Sequence, residues 1–255
     1  MNMNMNINIT LLNFIKFSCD FISKSDNDVY ILQLMKKIII VRHGQTNANV
    51  EGRTQGQINT PLNDIGKEQA KKTGKFIKTN FSISEAWSSD LIRTQTTAEN
   101  IFKNFKTTKL IREMSFGDWE NNLFEDIAKK SPELVKEYKN ATDQFKAPSG
   151  ESFGDMFDRA KEFIKSLDFN NENEVLIVSH GGFMRVLITS LLNLPKENLL
   201  NFQFENCSIT EILVNKNKPL TSKHKESERK NSSNIGLIIK RVNYTDHLNN
   251  LKQRI

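Results

Sequence analysis

The sequence predicts an α/β fold: a three-layer α/β/α sandwich with a mostly parallel central sheet and an antiparallel edge strand. Three observations lead to it. From residue 38 onward, short apolar runs alternate with segments of helical periodicity, the pattern of a parallel sheet covered on both faces. Two of the runs, IIIVR ending at Arg42 and VLIVS ending at Ser179, are rich in β-branched residues and read as buried strands. Each is followed at once by a histidine and a glycine, His43-Gly44 and His180-Gly181. Both histidines are thereby set on one edge of the sheet, where open α/β sheets bind ligands.

Taken in order, Ile38 to Val41 is β-branched throughout, and Gly44 lets the backbone leave the strand. Residues 45–62, punctuated by Gly52, Gly56 and Pro61, read as a loop. Asn63-Asp64 caps a helix reaching about Asn80, with Ile65, Ala70, Gly74, Phe76 and Ile77 inward. Residues 82–88 hold a short strand, and Asp90 begins a helix to about Phe105. Residues 109–111 form a brief apolar strand leading into Glu113. Residues 121–147 are polar and helical, with Pro132 near the start of a second helix; they read as an excursion from the sheet, placed as a lid that shapes specificity. Residues 154–167 form an amphipathic helix with Met156, Phe157, Ala160, Phe163 and Ile164 inward. A strand over 174–179 and a helix over 183–192 follow. Residues 208–214 and 235–242 read as an edge hairpin interrupted by a Lys/Ser/Asn-rich insertion, 216–234, expected to be a disordered loop.

Composition narrows the function. The 255 residues suit one α/β domain, and the net charge of +6 is spread along the chain, so nucleic acid is not an expected partner. Two cysteines, Cys19 and Cys207, lack metal or redox spacing and suit a reducing compartment; a cytoplasmic location is expected. Four histidines show no helical metal pairing, so no metal is expected. The most apolar early stretch, residues 11–22, is too short for a membrane span and is broken by Lys16 and Asp20, so no membrane partner is expected either. Residues 1–34 open with the alternating tract MNMNMNINIT and read as a low-complexity extension that a start at Met35 would omit.

An Arg-His-Gly triplet alone is a weak signal, expected by chance in roughly one chain in fifty of this length. The ordered series around it is specific. RHGQTNANVEGRTQGQINTPLNDIGKEQA (Arg42 to Ala70), SSDLIRTQTTAENI (Ser88 to Ile101), LIREMSFGDWEN (Leu110 to Asn121) and VLIVSHGG (Val175 to Gly182) resemble, block by block, the histidine phosphatase superfamily, also called phosphoglycerate mutase-like. NCSITEI and VNYTDHL are similar to its C-terminal blocks, so the resemblance spans roughly Lys36 to Leu251 and makes 35–255 a single domain of that family.

The resemblance implies a metal-independent phosphomonoester hydrolase that needs no cofactor. His43 is the implied nucleophile, forming a phosphohistidine, with a backbone carbonyl holding its other ring nitrogen. Arg42 and Arg93 grip phosphoryl oxygens through planar forks that lysine cannot match. His180 donates to the same oxygens, and Glu113 is the general acid and then base. Asn49 binds the phosphoryl group, and Gln55 and Gly56 line the substrate side. The partner is a small-molecule phosphate ester, and a homodimer stays open. His247 matches a family position but is assigned no chemistry, and Trp119 is expected to pack. Three departures stand out: Thr94 and Thr96 in an expected Ala-x-Gln-Thr-Ala run, and Asn121 where the family often has glycine.

Two other functions stay in view. A bisphosphoglycerate-dependent mutase of this family would carry a tryptophan run after the RHG block, and the Arg53 to Gln57 segment has none. A non-catalytic phospho-ligand module would not need the full histidine, arginine and glutamate set.

Overall fold

The computed structural model describes residues 36–168, 174–215 and 236–252. The expected extension 1–34, with Cys19, and the insertion 216–234, with His224, lie outside the described residues.

Six strands form one sheet in the order β3-β2-β4-β1-β5-β6. They are β1 (Lys36–Arg42), β2 (Ile83–Ser89), β3 (Lys106–Thr108), β4 (Glu174–Ser179), β5 (Ile209–Asn215) and β6 (Gly236–Tyr244). The pairs β1–β4, β2–β4 and β2–β3 are parallel, while β5 runs antiparallel to both β1 and β6. The expected edge hairpin is therefore present. Its antiparallel member is β5, and β6 folds back outside it.

Because strand side chains alternate, β1 and β4 feed both faces. Ile38, Ile40, Val175 and Ile177 join the core under α6 (Phe153–Ser166) and α7 (Gly181–Leu191), with Met156, Phe163, Phe183 and Leu187. Ile39, Val41, Leu176 and Val178 face α2 (Asp64–Asn80) and α3 (Ile92–Ile101), meeting Ile77, Ala98 and Ile101. These are the three layers. Asn63 caps α2 by accepting from the Gly66 N–H, and Ser152 with Asp155 forms a capping box on α6. Among the described residues, no helix is long and apolar enough to cross a membrane.

Several local expectations give way to side-chain chemistry. Within the expected loop 45–62, Thr46 and Asn49 make a capping box for a short helix, α1 (Asn47–Glu51), which Gly52 ends in a left-handed conformation. The expected strand 109–111 is a 3-10 turn, and the third parallel strand lies just before it, at β3. Its polar groups are taken by side chains instead of a ladder. Thr108 Oγ1 accepts from the Leu110 N–H, and the Leu110 and Ile111 carbonyls accept from Arg159 and Ser179. The helix expected to reach Phe105 ends at Ile101. The excursion is α4 (Phe124–Lys130) and α5 (Pro132–Lys139), with Pro132 in the first turn of α5.

Candidate active site

The register Arg42↔Ser179 makes His43 and His180 the next residues out of neighbouring parallel strands. Their ring centroids are 5.2 Å apart, and both rings are almost fully buried. Below them, Cys207, at φ 57°, donates its N–H toward the carbonyls of Arg42 and His43, fixing the strand exit from the β5 side.

The two histidines are held differently. His43 Nδ1 lies 2.7 Å from the Gly44 carbonyl, which can only accept, so Nδ1 carries the proton. A neutral ring then keeps its lone pair on Nε2. Burial, with Arg93 and Arg42 nearby, holds the His43 imidazole well below its ordinary range, so it is neutral at pH 7. His180 Nδ1 accepts from Arg93 Nε at 3.2 Å, and its Nε2 is 2.9 Å from Ser89 Oγ. Burial and Arg93 keep it neutral too. The sequence assigned His180 as a donor to phosphoryl oxygens. In the structure both its ring nitrogens are used within the protein, and it does not line the cleft described below. What it touches is Arg93.

Arg93, in the first turn of α3, is fully buried. Besides His180 it donates from Nη1 to the Ile58 carbonyl and from Nη2 to the Gly56 carbonyl, each at 2.7 Å. Burial pulls its guanidinium down to about 10, with Glu113 drawing it the other way. Arg42 donates from Nη1 to the Phe204 carbonyl at 2.6 Å. Its Nε is buried and has no hydrogen-bond partner among the described residues.

Glu113 reaches across to the start of α7. Oε1 accepts from the Met114 and Phe183 N–H groups at 2.9 and 3.1 Å, and Oε2 from Gly182 at 3.0 Å. A Cβ on residue 182 would lie 2.3 Å from Glu113 Oε1, so glycine there is what lets the carboxyl approach the helix N-terminus. This is why α7 begins at Gly181 and not at the expected Phe183. Behind Glu113, Arg159 donates to the carbonyls of Leu110 and Arg112 at 2.7 and 3.2 Å and lies 3.4 Å from that of Glu113. It is itself gripped by both carboxylate oxygens of Glu151, at 2.8 and 2.9 Å.

A cleft of about 300 Å³ opens over this set, and its lining includes Arg42, His43, Arg93, Glu113, Asn49 and Gln55. Asn49 Oδ1 accepts from the Thr46 N–H and from Asn206 Nδ2, which leaves its amide nitrogen as the donor it can offer. Gln55 Oε1 accepts from Thr46 Oγ1 at 2.9 Å. Gly56 also lines the cleft, and its carbonyl holds Arg93. At φ 52° and with a would-be Cβ 2.0 Å from Glu120 Oε1, that position admits no side chain. Phe116, Phe124, Tyr138 and Arg53 line the same cleft.

All eight sequence-assigned residues fall in this region, and seven of them line the cleft. Sequence reasoning missed Asn206, which donates to the His43 carbonyl and to Asn49; Ser89 behind His180; the Glu151–Arg159 pair; and the aromatic wall. Asn206 lies in the NCSITEI block and Ser89 in the second block, which were the available signals. Two of the three departures are accommodated. Thr94 Oγ1 lies within hydrogen-bond distance of the Ser89 and Leu91 carbonyls, and Asn121 holds φ 63°, a conformation asparagine tolerates better than most residues. Trp119 is buried against Phe116 and Phe145, and His247 stacks on Phe76. Burial pushes the Cys207 thiol up to about 12, so it is not a nucleophile. Among the described residues, no group of three or more His, Cys, Asp or Glu side chains could hold a metal.

With this geometry in hand, residues 38–226 match the sequence model of the histidine phosphatase superfamily, branch 1. A Salmonella choleraesuis protein named a probable phosphoglycerate mutase, GpmB, is 32% identical over 183 residues, covering 70% of this chain and 85% of its own. The phosphoserine phosphatase of Entamoeba histolytica, solved with phosphoserine, superposes with a TM-score of 0.68 at 26% identity over 84% of this chain and all of its own. The α-ribazole phosphatase of Shigella flexneri gives 0.67 at 26% identity, over 82% of this chain and 96% of its own.

Proposed function

The chain belongs to the histidine phosphatase superfamily, branch 1, and from that membership we propose that it hydrolyses a small phosphomonoester through a phosphohistidine. The observation that carries the proposal is His43. It is neutral, with its protonated nitrogen fixed on the Gly44 carbonyl, and the half-buried Arg42 and the buried Arg93 lie near it. The unpartnered buried Nε of Arg42 adds a donor that an anion would satisfy.

His43 Nε2 attacks phosphorus, and the bond from phosphorus to the ester oxygen breaks. Arg42, Arg93 and the Asn49 amide bind the phosphoryl oxygens as charge builds on them. Glu113 is the proton donor to the departing alcohol oxygen. Oε2, with a single backbone partner, is the oxygen with room for that proton. Water then attacks the phosphohistidine, Glu113 takes its proton, the phosphorus–nitrogen bond breaks, and phosphate leaves. His180 acts through Arg93, as a positioning residue that fixes the guanidinium from behind.

The name of the Salmonella relative favours a second reading, a phosphoglycerate mutase. Against it stands the Arg53 to Gln57 segment, which lacks the tryptophan run expected of a mutase, and that supports hydrolysis. The test is phosphate release from a panel of phosphomonoesters in chelator, with acid-quench trapping of the phosphoenzyme. Release and trapping should both be lost in His43→Ala, by roughly 10⁴-fold or more in rate. Release that survives in His43→Ala overturns the proposal. So does primer-dependent interconversion of phosphoglycerates without release.

A further inference from the structure

We infer that the cleft selects phosphomonoesters whose alcohol carries an apolar, preferably aromatic, group and no second anion. The inference rests on the phosphatase reading above and concerns the aromatic part of the cleft's lining.

That part is three rings. Phe116 and Tyr138 meet edge to face, centroids 5.7 Å apart at 71°, and Phe124 and Tyr138 are 6.1 Å apart. Tyr138 is held from behind by Phe145 at 5.1 Å and by Phe153 stacked at 5.8 Å. The wall is thus built of the rings of Phe116 and Phe124 with Tyr138 packed against both, and it is formed before any substrate arrives, the condition under which ordering costs little on binding.

Charge points the same way. A phosphorylated hydroxy acid or amino acid brings a carboxylate as well as a phosphate, and the carboxylate needs its own cation. Of the three arginines lining the cleft, Arg42 and Arg93 lie near His43. The third, Arg53, already has an anion beside it: its Nε pairs with Glu51 at 2.6 Å, and its Nη1 donates to the Asn121 carbonyl at 2.8 Å. Lys139 lies over the Phe124 ring at 5.8 Å but does not line the cleft. A second anion would therefore compete with Glu51 for Arg53 and lie along a wall of rings. An apolar group would cover those rings.

The experiment compares two non-hydrolysable phosphonates of similar reach, 2-phenylethylphosphonate and 3-phosphonopropionate, by calorimetry on the full chain. The expected result is a Kd at least about tenfold lower for the phenyl compound, the scale of covering one ring's worth of apolar surface. Phe124→Ala should shrink that ratio to about threefold or less, while Phe124→Leu, which keeps apolar surface and guards against misfolding, should retain most of it. Equal or tighter binding of the carboxylated compound, no binding of either, or a ratio unmoved in Phe124→Ala overturns the inference. Because binding is measured without turnover, these outcomes are separate from failure of the phosphatase reading, which would appear as no phosphate release from any ester.

Discussion

Around His43, polar groups are tied to backbone. Arg93 gives one N–H from each of its three nitrogens to His180 and two loop carbonyls and keeps two more to offer, Glu113 is met by three N–H groups, and His43 Nδ1 is met by a carbonyl. In the aromatic part of the lining, Phe116, Phe124 and Tyr138 come from three separate segments and meet through ring contacts. The first region fixes positions through directional bonds, each of which fails if one atom moves. The second fixes a shape through contacts that tolerate substitution by anything of similar volume. Chemistry needs the first kind of order, and choice of substrate can be served by the second.

Breaking the first region should cost most. Arg93→Lys keeps the charge but cannot reach His180 and the Ile58 and Gly56 carbonyls together. Its kcat/KM should fall by about 10²–10³-fold for every ester, whatever the alcohol. A loss confined to particular alcohols would show that Arg93 belongs to the substrate-selecting wall instead.

A smaller effect should come from one step behind the site. Arg159→Met removes the donor that gathers the carbonyls of residues 110–113 and frees Glu151. If this pair positions Glu113, the rate on alkyl esters should fall by roughly 10–100-fold, with p-nitrophenyl phosphate nearly spared because its leaving group needs no proton. Equal losses on both substrates would reduce the pair to general scaffolding.

The smallest effect is on stability, and it reads the electrostatics of the His43 region alone. Both imidazoles lie well below 6.5 in the folded chain. Below that pH the unfolded chain binds protons that the folded chain refuses, so stability falls as pH drops. The loss should be about 1 kcal/mol per histidine over the first unit below 6.5. Chemical denaturation at two pH values measures it, and His180→Asn should lose about half of the slope. An unchanged slope in that variant would place the titration elsewhere.

The two regions also differ in what the sequence disclosed. The His43 region was legible because its residues sit at the ends of strands whose apolar runs are unmistakable. Once β1 and β4 are parallel neighbours, Arg42, His43 and His180 are brought together by the backbone alone. The fold class and the edge hairpin followed from the same alternation. The aromatic wall was not legible. Phe116, Phe124 and Tyr138 share no period, and their pose depends on ring packing of Phe124 on Tyr138 and of Tyr138 on Phe145 and Phe153, which no hydrophobic pattern announces. The use of His180 was hidden for a related reason. Its partners, Ser89 and Arg93, belong to a different strand and helix, and only their distances show that both ring nitrogens are spent. The misplaced strand at 109–111 has the same origin, since its carbonyls go to Arg159 and Ser179.

The place of β1 in the sheet also sets an order of events. Its two neighbours, β4 and β5, are residues 174–179 and 209–215, so IIIV emerges during synthesis long before anything can pair with it. At ordinary rates of translation the wait is on the order of ten seconds. Through that interval the stickiest segment of the chain is an unpaired strand in need of shelter, from a chaperone or from transient burial under the early helices. The same interval separates the birth of His43 from that of His180, so a nascent chain is catalytically silent until most of it has left the ribosome.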